Sequence, residues 1–549
     1  MKRTNAVAVS IHAVCPVSDA KLGALNSASA IIDGSRAPLT KFNTMKTPDK
    51  KLCDAVCHNV VGVATRLSEK PSRLSGFLSN HIGFILGSEK RSLLITNRYL
   101  MGKILSAAAV ITAMATQSVI ADERAVILII GDGFDDTHVT MGRNYLKGQA
   151  GQLLLDQMPF RGAVQVETVN SEGTPIYVAD SANTATALAT GAVTQIARIG
   201  KNAADKPVTT VLESAAAAGY KTGIVSTASV TDASPAAFAA HVTIRACENP
   251  VTIRGGEKYG VTFDGCPEDL IENGGMGSIS EQLAVANVDV ILGGGMEHFV
   301  AQYESEPTAL ALAQEQGVTV LTERDALEQQ HAGRVIGLFS EDTMPVAWRG
   351  TNGRIADSIE RSWLNHIHEM IGSITQPEVI ECETNPSFAE MPTMEAMTRY
   401  ALDHLSRDND KGFFLTIESA SIDKKSHERD ACGSIGEIKQ LEEALAVAMD
   451  YASENPNTLI IVTADHSQAA QIVPDPTLYT SLPIPVFSPG KVARIVTPEG
   501  SVMRINYATN NIASEEHTGA NVPLFANSEG ESVLSPFMRQ RDILSLIHI

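Results

Sequence analysis

Acidic residues follow five separate apolar runs in this 549-residue sequence, and most of them have a histidine or a serine close by. Many Asp, Glu and His side chains gathered in one place are too costly to bury unless they are paired or bind metal ions. We therefore interpret the pattern as a multi-metal active site. The runs and the residues that follow them are 126–130 with Asp132, 177–178 with Asp180 and Ser181, 222–225 with Asp232 and Ser234, 413–417 with Glu418, Asp423 and His427, and 459–462 with Asp465 and His466.

Two of these motifs have a spacing that suits metal ligation. Asp423 and His427 are four residues apart, so on a helix both side chains share one face, as a chelating pair requires. Asp465 and His466 are adjacent at a predicted strand end, where an irregular backbone can direct both inward. Alone, such pairs are usually surface hydrogen bonds, and an isolated histidine such as His517 is more often structural. Together they supply the nitrogen and oxygen ligands that zinc favours, while oxygen ligands suited to magnesium are offered by Asp132, Ser234 and Glu418.

Ser181 opens an Ala-rich stretch with helical character and is a candidate nucleophile. The plain alternative is a helix N-cap, a position that serine favours. A helix N-terminus is also where backbone N–H groups and the helix dipole bind phosphate. Ser181 lacks a surrounding Gly-x-Ser-x-Gly motif, so activation by a histidine base is not indicated, whereas a nearby dication could lower the pKa of its hydroxyl. Arg245, two residues before Cys247, is either a surface residue or a bidentate phosphate clamp, and a loop pinned by a cysteine favours the clamp.

Short β-rich runs alternate with helical stretches, which predicts an α/β fold with a mainly parallel sheet and helices on both faces. Ligands bind at the carboxyl ends of the strands in such a sheet, so we expect the acidic motifs to converge there. Gly191 and Gly219 stand where helix C-caps are expected. Predicted strands are 126–130, 163–167, 222–225, 288–292, 413–417 and 459–462; predicted helices are 182–190, 210–218, 279–286, 394–405 and 438–452; long loops or insertions are predicted at 245–275 and 340–390, and an irregular or hairpin excursion at 477–506.

The charge is divided unevenly along the chain. Residues 1–121 contain 15 Lys+Arg and 6 Asp+Glu, whereas the rest of the chain holds 28 Lys+Arg and 57 Asp+Glu. The excess of acidic residues after residue 121 argues against nucleic acid as a partner. An anionic substrate would need local cations, which bound metals would supply. No apolar run reaches the roughly 18 residues of a membrane span, so an integral membrane protein is not expected.

Residues 101–121 have the pattern of a secretory signal peptide. A short basic start at Met101 is followed by an apolar, Ala-rich middle and a Val-x-Ala ending at Ala121. Because signal peptides lie at N-termini, we expect translation to begin at Met101 and the product to be periplasmic or secreted. Residues 1–100 are then a non-native or unstructured extension, and 122–549 form the catalytic domain. The alternative is a genuine basic extension with residues 101–121 as a buried helix.

Four cysteines follow the predicted cleavage point, an even number that indicates two disulfides in an exported chain. The sequence permits three pairings, and the short-range one is favoured because it closes local loops. Each disulfide is expected to contribute roughly 2–4 kcal/mol by restricting the unfolded chain. The favoured pairs are Cys247 with Cys266 and Cys382 with Cys432.

From about residue 125 onward the sequence resembles the bacterial periplasmic alkaline phosphatases, because six motifs occur in the same order. The resemblance implies a three-layer α/β/α fold around a mostly parallel sheet. It also implies an exported homodimer that hydrolyses a broad range of phosphate monoesters. The motifs are Ile-Gly-Asp132-Gly, Ala-Asp-Ser181-Ala, Thr-Asp232-Ala-Ser-Pro-Ala with Ala-His241-Val-Thr-Ile-Arg245, Ile-Glu418-Ser-Ala-Ser-Ile-Asp423-Lys424, Val-Thr-Ala-Asp465-His466 and Glu-His517-Thr-Gly.

The resemblance also implies a role for each site residue. Ser181 would be the nucleophile that forms a phosphoserine, Arg245 would grip two phosphate oxygens, and Lys424 would contact phosphate through water. Two zinc ions and one magnesium ion per subunit are implied, and so are the local disulfide pairs. The implied ligands are Asp423, His427 and His517 for the first zinc, Asp132, Asp465 and His466 for the second, and Asp132, Ser234 and Glu418 for magnesium, with Asp232 behind that last set.

Three departures from the family pattern stand out. Ser234 replaces a Thr but keeps the hydroxyl, so magnesium ligation is expected to survive. Gln468 replaces a His and is expected to alter the affinity for the second zinc. The chain after the predicted cleavage point begins almost at the first strand and lacks the N-terminal arm that the family uses in dimer contacts, and the final residues 545–549 are abrupt for a closing helix.

Two other functions are alternatives to a phosphomonoesterase. A phosphodiesterase or sulfatase of the same superfamily is one, but the region of Ser181 lacks the Cys/Ser-x-Pro-x-Arg stretch that sulfatases need. A non-catalytic phosphate- or metal-binding protein is the other, and it predicts a lost nucleophile or clamp. Ser181 and Arg245 are both present.

Overall fold

The computed structural model describes residues 124–258, 260–368, 370–475 and 487–546, all within the unit Gln117–Ile549. The predicted upstream extension 1–100 and the predicted signal peptide 101–121 lie outside the described residues, so both stay predictions. Part of the excursion predicted at 477–506 also lies outside them.

A ten-stranded sheet forms the centre of the fold. Its strands in chain order are β1 Arg124–Gly131, β2 Phe160–Gln165, β3 Lys221–Ser229, β4 Val290–Gly294, β5 Thr319–Leu321, β6 Val335–Leu338, β7 Gly412–Ser419, β8 Thr458–Ala464, β9 Val522–Ala526 and β10 Phe537–Arg539. They are ordered β10-β2-β9-β8-β1-β7-β3-β4-β6-β5 across the sheet. Only β9 is antiparallel to its neighbours, and the other adjacent pairs are parallel. The predicted mainly parallel sheet is confirmed.

The middle strands are apolar along their whole length. All residues of β1 from 126 to 130 are fully buried, and every residue of β8 is buried. Parallel strands that are covered on both faces have continuous Val- and Ile-rich sequences instead of alternating ones. This is why the sequence identified these strands so clearly, although it placed their ends one to four residues away from the observed bounds.

Helices cover both faces of the sheet. The adjacent residues Phe413 and Phe414 of β7 point to opposite faces. The ring of Phe413 lies 5.6 Å from that of Tyr451, and the ring of Phe414 lies 6.1 Å from that of Phe238. The three-layer α/β/α arrangement follows. The helices are α1 Asp136–Lys147, α2 Leu154–Gln157, α3 Ser181–Thr190, α4 Val211–Ala218, α5 Ala233–Ala236, α6 Ile279–Val285, α7 Met296–Val300, α8 Ala309–Glu315, α9 Trp363–Ile367, α10 Met394–Ser406, α11 Ser421–His427, α12 Ala431–Glu454, α13 Ser528–Glu531 and α14 Gln540–Ile543.

Smaller sheets lie outside the central one, and several of them occupy the predicted insertions and the predicted excursion. A five-stranded sheet contains Asp357–Ser358, Val379–Ile380, Gln471–Val473, Lys491–Val496 and Val502–Tyr507. The last two strands form a hairpin, so the hairpin alternative for the excursion predicted at 477–506 is confirmed for the part of it that the structure describes. Two-stranded pairs join Thr168–Val169 to Pro175–Ile176, Gly256–Lys258 to Val261–Phe263, Trp348–Gly350 to Cys382–Thr384, Glu360–Arg361 to Ile374–Thr375, and Ser467–Gln468 to His517–Thr518.

Both favoured disulfides are present, Cys247–Cys266 across 19 residues and Cys382–Cys432 across 50. The second one joins Cys382, in a strand of the inserted region, to Cys432 at the start of α12. Within the part of the chain that the structure describes, no helix is long and apolar enough to cross a membrane.

Candidate active site

The carboxyl ends of the central strands carry most of the predicted site residues. The register pairs Gly131 of β1 with Ala464 of β8. Asp132 and Asp465 therefore leave the sheet at the same level, and Glu418 of the neighbouring β7 lies at this edge as well. The expected convergence is confirmed for the four apolar runs that form central strands.

The fifth run does not end a strand of the central sheet. Tyr177 and Val178 lie outside any strand, and the side chain of Tyr177 is 87% exposed. The preceding strand, Pro175–Ile176, pairs only with Thr168–Val169 in a short hairpin. Ser181 is therefore positioned by a helix and not by a strand end.

Ser181 is the first residue of α3 and is buried. The N-cap of this helix is Asp180, whose carboxylate accepts from the backbone N–H of Asn183. Gly191 ends the helix in the left-handed conformation at φ 71°. Since Asp180 caps the helix, the hydroxyl of Ser181 is left for the site, and the simple N-cap alternative is wrong.

Ser181 contacts two of the predicted metal ligands, and a third lies beside them. Its Oγ lies 3.1 Å from Nε2 of His466 and 3.4 Å from Oδ1 of Asp132. The same Nε2 lies 3.3 Å from Oδ1 of Asp132 and 3.5 Å from Oδ2 of Asp465. Metal–ligand bonds of about 2 Å place neighbouring donor atoms at such separations, so this group fits one divalent cation.

Asp423, His427 and His517 form a second group of the same kind. Nε2 of His427 lies 3.0 Å from Nε2 of His517 and 3.2 Å from Oδ2 of Asp423. Nδ1 of His427 donates to the carbonyl oxygen of Glu515, and Nδ1 of His517 donates to that of Ala179, 2.7 Å away. With Nδ1 of each ring used as a donor, the two Nε2 lone pairs repel each other at this distance unless a proton or a metal cation lies between them. Burial alone would lower the pKa of His427, but Asp423 holds this pKa above its ordinary value, so a proton fills this place when no metal is bound.

Burial and mutual repulsion shift the pKa values at this edge. Burial, followed by the charges of neighbouring carboxylates, raises the pKa of Asp132 well above its usual range. Burial also raises the pKa of Asp465 to about 6 and that of Glu418 to about 7. Burial and a neighbouring imidazole lower the pKa of His517 to about 4, which keeps this ring neutral. Bound cations would relieve the carboxylate repulsion, and neutral imidazole is the form that ligates metal.

The predicted magnesium ligands lie beside this cluster. Ser234 is in α5, and its buried Oγ has no hydrogen-bond partner of good geometry among the described residues. The neighbouring Glu418 is buried too and accepts a 2.5 Å hydrogen bond from Oγ of Ser226. A buried hydroxyl that faces a buried carboxylate without a well-formed hydrogen bond fits a cation that prefers oxygen ligands.

Arg245 and Lys424 meet at Asp232. Nη2 of Arg245 donates to Oδ1 of Asp232 over 2.6 Å, and Nζ of Lys424 donates to Oδ2. Burial alone would raise the pKa of Asp232, but the charges of Lys424 and Arg245 outweigh burial and hold this pKa far below its usual range. Asp232 therefore orients two cations for an anionic ligand.

These side chains border a cavity of about 800 Å³, large enough for a phosphate group that carries an organic substituent. The structure thus brings residues predicted from separate motifs to one edge of the sheet, and most of them line one cavity; Ser234, Glu418, Asp465 and His466 are not part of its wall. Predicted site residues in the cavity wall are Asp132, Ser181, Asp232, Arg245, Asp423, Lys424, His427 and His517.

Gln468 and His517 occupy places that the local sequence does not indicate. Nε2 of Gln468 donates to Oδ1 of Asp423 over 2.7 Å, so its side chain orients a ligand of the first group. The expected effect of Gln468 on the affinity for the second zinc stays a prediction. The short strand Ser467–Gln468 follows β8 directly and pairs with His517–Thr518. This pairing aligns Gln468 with His517 and brings an isolated histidine to the site.

Asp135 is a site-supporting residue that the sequence analysis missed. It is the N-cap of α1, and its Oδ2 accepts a 2.7 Å hydrogen bond from Oγ of Ser467, next to His466. Its Oδ1 also contacts Nδ1 of His138 at 3.0 Å. An aspartate before a helix predicts only a cap, so the sequence offered no sign of this second role.

Glu297, His298 and Asp342 form a third group whose composition resembles a metal site. Here, however, Nδ2 of Asn249 donates to Nδ1 of His298, because Oδ1 of that amide already accepts two backbone N–H groups. The proton of the neutral ring is therefore on Nε2, which faces carboxylate oxygens at 3.5 and 3.9 Å. A ring with this tautomer contributes to an ion-pair cluster and has no Nε2 lone pair for a metal.

Comparisons with known proteins identify similar chains. Residues 123–511 match the family model described as alkaline phosphatase. The alkaline phosphatase of Escherichia coli (strain K12) is 38% identical over 413 residues, which cover 73% of this chain and 80% of that protein. The streptomycin-6-phosphate phosphatase of Streptomyces griseus is 39% identical over 421 residues, which cover 74% of this chain and 85% of that protein.

Solved structures show the same fold at lower identity. Alkaline phosphatase from the Antarctic bacterium TAB5 superposes with a TM-score of 0.51 at 21% identity, covering 78% of this chain and 97% of that one. The cold-active alkaline phosphatase of a psychrophilic Shewanella sp. gives a TM-score of 0.54 at 21% identity, covering 77% and 98%.

Proposed function

This chain belongs to the alkaline phosphatase family, and from that premise we propose that it is an exported, metal-dependent phosphomonoesterase that works through a phosphoserine. Family membership makes it a phosphatase with phosphate monoesters as substrates and divalent metals as cofactors. The metal identities, the roles of the individual residues, export and assembly are the proposal.

The observation that carries metal dependence is the pair of opposed imidazoles. The Nε2 atoms of His427 and His517 face each other at 3.0 Å while both Nδ1 atoms are engaged by carbonyl oxygens. We assign two zinc ions and one magnesium ion per subunit, with Asp423, His427 and His517 for the first zinc, Asp132, Asp465 and His466 for the second, and Asp132, Ser234 and Glu418 for magnesium. Bound there, the ions would supply Lewis acidity and charge stabilisation for phosphoryl transfer.

The residues of the chain perform the transfer itself. Arg245 holds two phosphate oxygens and is kept in orientation by Asp232. Lys424, which is paired with the other oxygen of Asp232, contacts phosphate through water. Oγ of Ser181 loses its proton and attacks phosphorus, the bond between phosphorus and the ester oxygen of the substrate breaks, and that oxygen takes up a proton and leaves as the alcohol, so that the serine becomes a phosphoserine. Water then attacks this ester, which releases inorganic phosphate and returns the serine hydroxyl.

The purified zinc- and magnesium-loaded protein tests the substrate class. We expect an aryl phosphate monoester to be hydrolysed far faster than the matching diester or sulfate ester. Equal or faster turnover of the diester would overturn the assignment, and faster turnover of the sulfate would point to a sulfatase. Binding of phosphate without turnover of any ester would indicate a non-catalytic protein.

Export and assembly are tested separately. We propose that residues 101–121 direct export to the periplasm or medium and that the mature enzyme is a homodimer. N-terminal sequencing of exported protein should begin at Asp122, and a start before that residue would contradict cleavage after Ala121. Sedimentation equilibrium should give twice the mass of the mature chain, whereas a monomer mass at all concentrations would refute the dimer.

A further inference from the structure

Arg429 is a fully buried arginine two residues after His427, at the end of α11. Its backbone has φ 63°, a left-handed conformation that a non-glycine residue adopts at a cost. The mechanism proposed above does not use it. A charged side chain is buried in this way only if its hydrogen bonds are satisfied, so its partners indicate what it does.

All partners of the guanidinium lie in one segment, residues 510–515. Nε donates to Oε2 of Glu515 over 2.6 Å. Nη1 donates to the carbonyl oxygen of Ala513 over 3.0 Å, and Nη2 donates to the carbonyl oxygen of Ile512 over 2.9 Å and to Oδ1 of Asn510 over 3.2 Å. The planar fork of arginine thus holds a whole loop, which a lysine ammonium could not do with the same geometry.

Glu515 closes the other side of the same loop. It is fully buried, and its second oxygen, Oε1, accepts the backbone N–H of Thr509 at 2.5 Å as well as the hydroxyl of that residue. The Arg429–Glu515 pair therefore links residues 509–515 to the end of α11. These two segments are far apart in sequence and have no other ion pair between them among the described residues.

The linked segments carry two of the proposed ligands of the first zinc. The backbone N–H of Glu515 donates to the carbonyl oxygen of His427 over 3.0 Å, and the carbonyl oxygen of Glu515 accepts from Nδ1 of His427. His517 follows two residues later, at 3.0 Å from His427 between the Nε2 atoms. The pair thus lies directly behind the contact that fixes the tautomer of His427 and its distance from His517.

We propose that Arg429 and Glu515 are positioning residues that preset His427 and His517 for the first metal site. This inference rests on the proposed metal-dependent function. A preset pair of ligands needs less ordering when metal binds, so the pair should raise the affinity of this site and leave the second site almost unchanged. Partners that orient metal ligands typically contribute about 10–100-fold in metal affinity.

The test replaces both charges at once, because removing one would leave the other buried and unpaired. The double variant Arg429→Met with Glu515→Leu keeps similar volumes. Its matched control is Lys201→Met with Asp269→Leu, an equally buried ion pair whose partners lie outside the metal sites. Crystals of each protein are equilibrated with chelator-buffered zinc, and anomalous diffraction at the zinc edge gives the occupancy of each site.

We expect the first site of the double variant to need about 10–100-fold more free zinc for half occupancy, with the second site near the wild-type value. The control pair should leave both sites at the wild-type value. Equal losses at both sites in the double variant would mean general damage and overturn the inference, as would wild-type affinity at the first site.

Arg429→Lys extends the test if the double variant does not fold. It keeps the buried positive charge beside Glu515 but loses the planar fork that holds residues 510–513, so it should weaken the first site relative to the wild type, and wild-type affinity there would overturn the inference. Failure of the proposed function is a different result. It would show as no zinc at the first site of the wild-type protein, at any zinc concentration.

Discussion

At the residue scale, three backbone carbonyl groups decide which histidine nitrogen faces the site. Nδ1 of His427 donates to Glu515, Nδ1 of His517 to Ala179, and Nδ1 of His466 contacts the carbonyl oxygen of Ser467 at 3.3 Å. In each ring Nε2 is left as the ligand atom. Carbonyl oxygens do not titrate, so this arrangement does not depend on the charge of a neighbouring carboxylate.

Replacing the nucleophile separates chemistry from metal binding. Ser181→Ala should lower turnover of an aryl phosphate by roughly 10³-fold or more, because no ester can form on the helix N-terminus. Zinc content measured by mass spectrometry should stay near the wild-type value, since Ser181 is outside the proposed ligand sets. The exposed Ser171→Ala serves as the control and should keep full activity. Substantial turnover by Ser181→Ala would contradict the phosphoserine route.

Replacing His427 tests the first metal site directly. His427→Ala removes a ligand whose Nε2 lies 3.2 Å from Asp423 and 3.0 Å from His517, so one zinc per subunit should be lost. The measurement is zinc stoichiometry after dialysis against a weak chelator. Unchanged stoichiometry would count against the assignment of this site.

Gln468 offers a finer test because its side-chain amide donates a hydrogen bond to Asp423, a proposed ligand of the first site. Gln468→Leu removes the donor to Oδ1 of Asp423 and should weaken the first zinc by about 10–100-fold. Gln468→His keeps a donor and should weaken it less. Chelator competition measures both variants, and equal affinities in the leucine and wild-type proteins would show that this hydrogen bond is unimportant.

At the element scale, the turn after β1 holds the two metal sites together. The backbone N–H of Gly133 donates to Oδ1 of Asp465 over 3.1 Å. Gly133 has φ +64°, and a Cβ at this position would lie 2.9 Å from Cβ and Oδ1 of Asp423. Glycine is needed here for two separate reasons, its backbone conformation and the close approach of a metal ligand.

Gly133→Ala should therefore displace Asp423 and lower zinc content, in addition to costing roughly 1 kcal/mol of backbone strain. Gly173→Ala is a matched control, because it also has positive φ, +75°, but open space around the added Cβ. The control should lose some thermal stability and keep its zinc. Equal zinc contents in the two variants would contradict the close-approach argument.

A helix and a neighbouring loop share a titratable pair, His241 and Glu213 of α4. Burial lowers the pKa of His241, but the hydrogen bond with Glu213 at 3.0 Å and the carbonyl oxygen of Gly200 raise it overall. Burial raises the pKa of Glu213, and the same hydrogen bond together with a backbone one lowers it overall. The pair is thus charged over a wider pH range in the folded protein than in the unfolded chain.

The sign of the pH dependence follows from these directions. The contribution of His241 is complete below its ordinary pKa of 6.5 and is lost as pH rises through its raised folded value. The contribution of Glu213 is complete above its ordinary pKa of 4.5 and is lost as pH falls through its lowered folded value. Glu213→Gln keeps the helix cap with Thr210 and should lower the pKa of His241 in an NMR titration. An unchanged His241 titration would contradict the pairing.

At the scale of the whole molecule, the disulfides restrict the unfolded chain by different amounts. Loops of 19 and 50 residues correspond to about 3 and about 4 kcal/mol of unfolded-state entropy. Cys382→Ala with Cys432→Ala should lower the unfolding midpoint more than Cys247→Ala with Cys266→Ala. Thermal unfolding of the two double variants measures this, and the reverse order would show that local packing outweighs loop length.

The excess of acidic residues limits how the molecule can attract an anionic substrate. Residues after 121 carry a large excess of Asp and Glu, and several carboxylates line the site. Arg245 and Lys424 are both paired with Asp232 there. Attraction for a phosphate monoester must therefore come from these two cations and from bound metals, over a short range.

The sequence by itself indicated six of the ten strands of the central sheet, five of the fourteen described helices and the motifs whose side chains converge at one edge. Fully buried parallel strands such as β1 and β8 appear as unbroken apolar runs, and a carboxylate directly after such a run has only one edge of the sheet to occupy. The spacing of Asp423 and His427 on α11 is likewise a local property. These features depend on neighbouring residues along the chain, so the sequence alone is enough to predict them.

Only the tertiary structure decided how distant segments complete the site. His517 reaches the first zinc site through a two-residue strand pair with Gln468, and Arg429 contacts Glu515 across 86 positions of sequence. The same holds for the role of Asp135 and for the fifth apolar run, which is not a strand of the central sheet. Such contacts arise from packing between elements, and a pattern along the chain carries no information about which distant element will lie opposite.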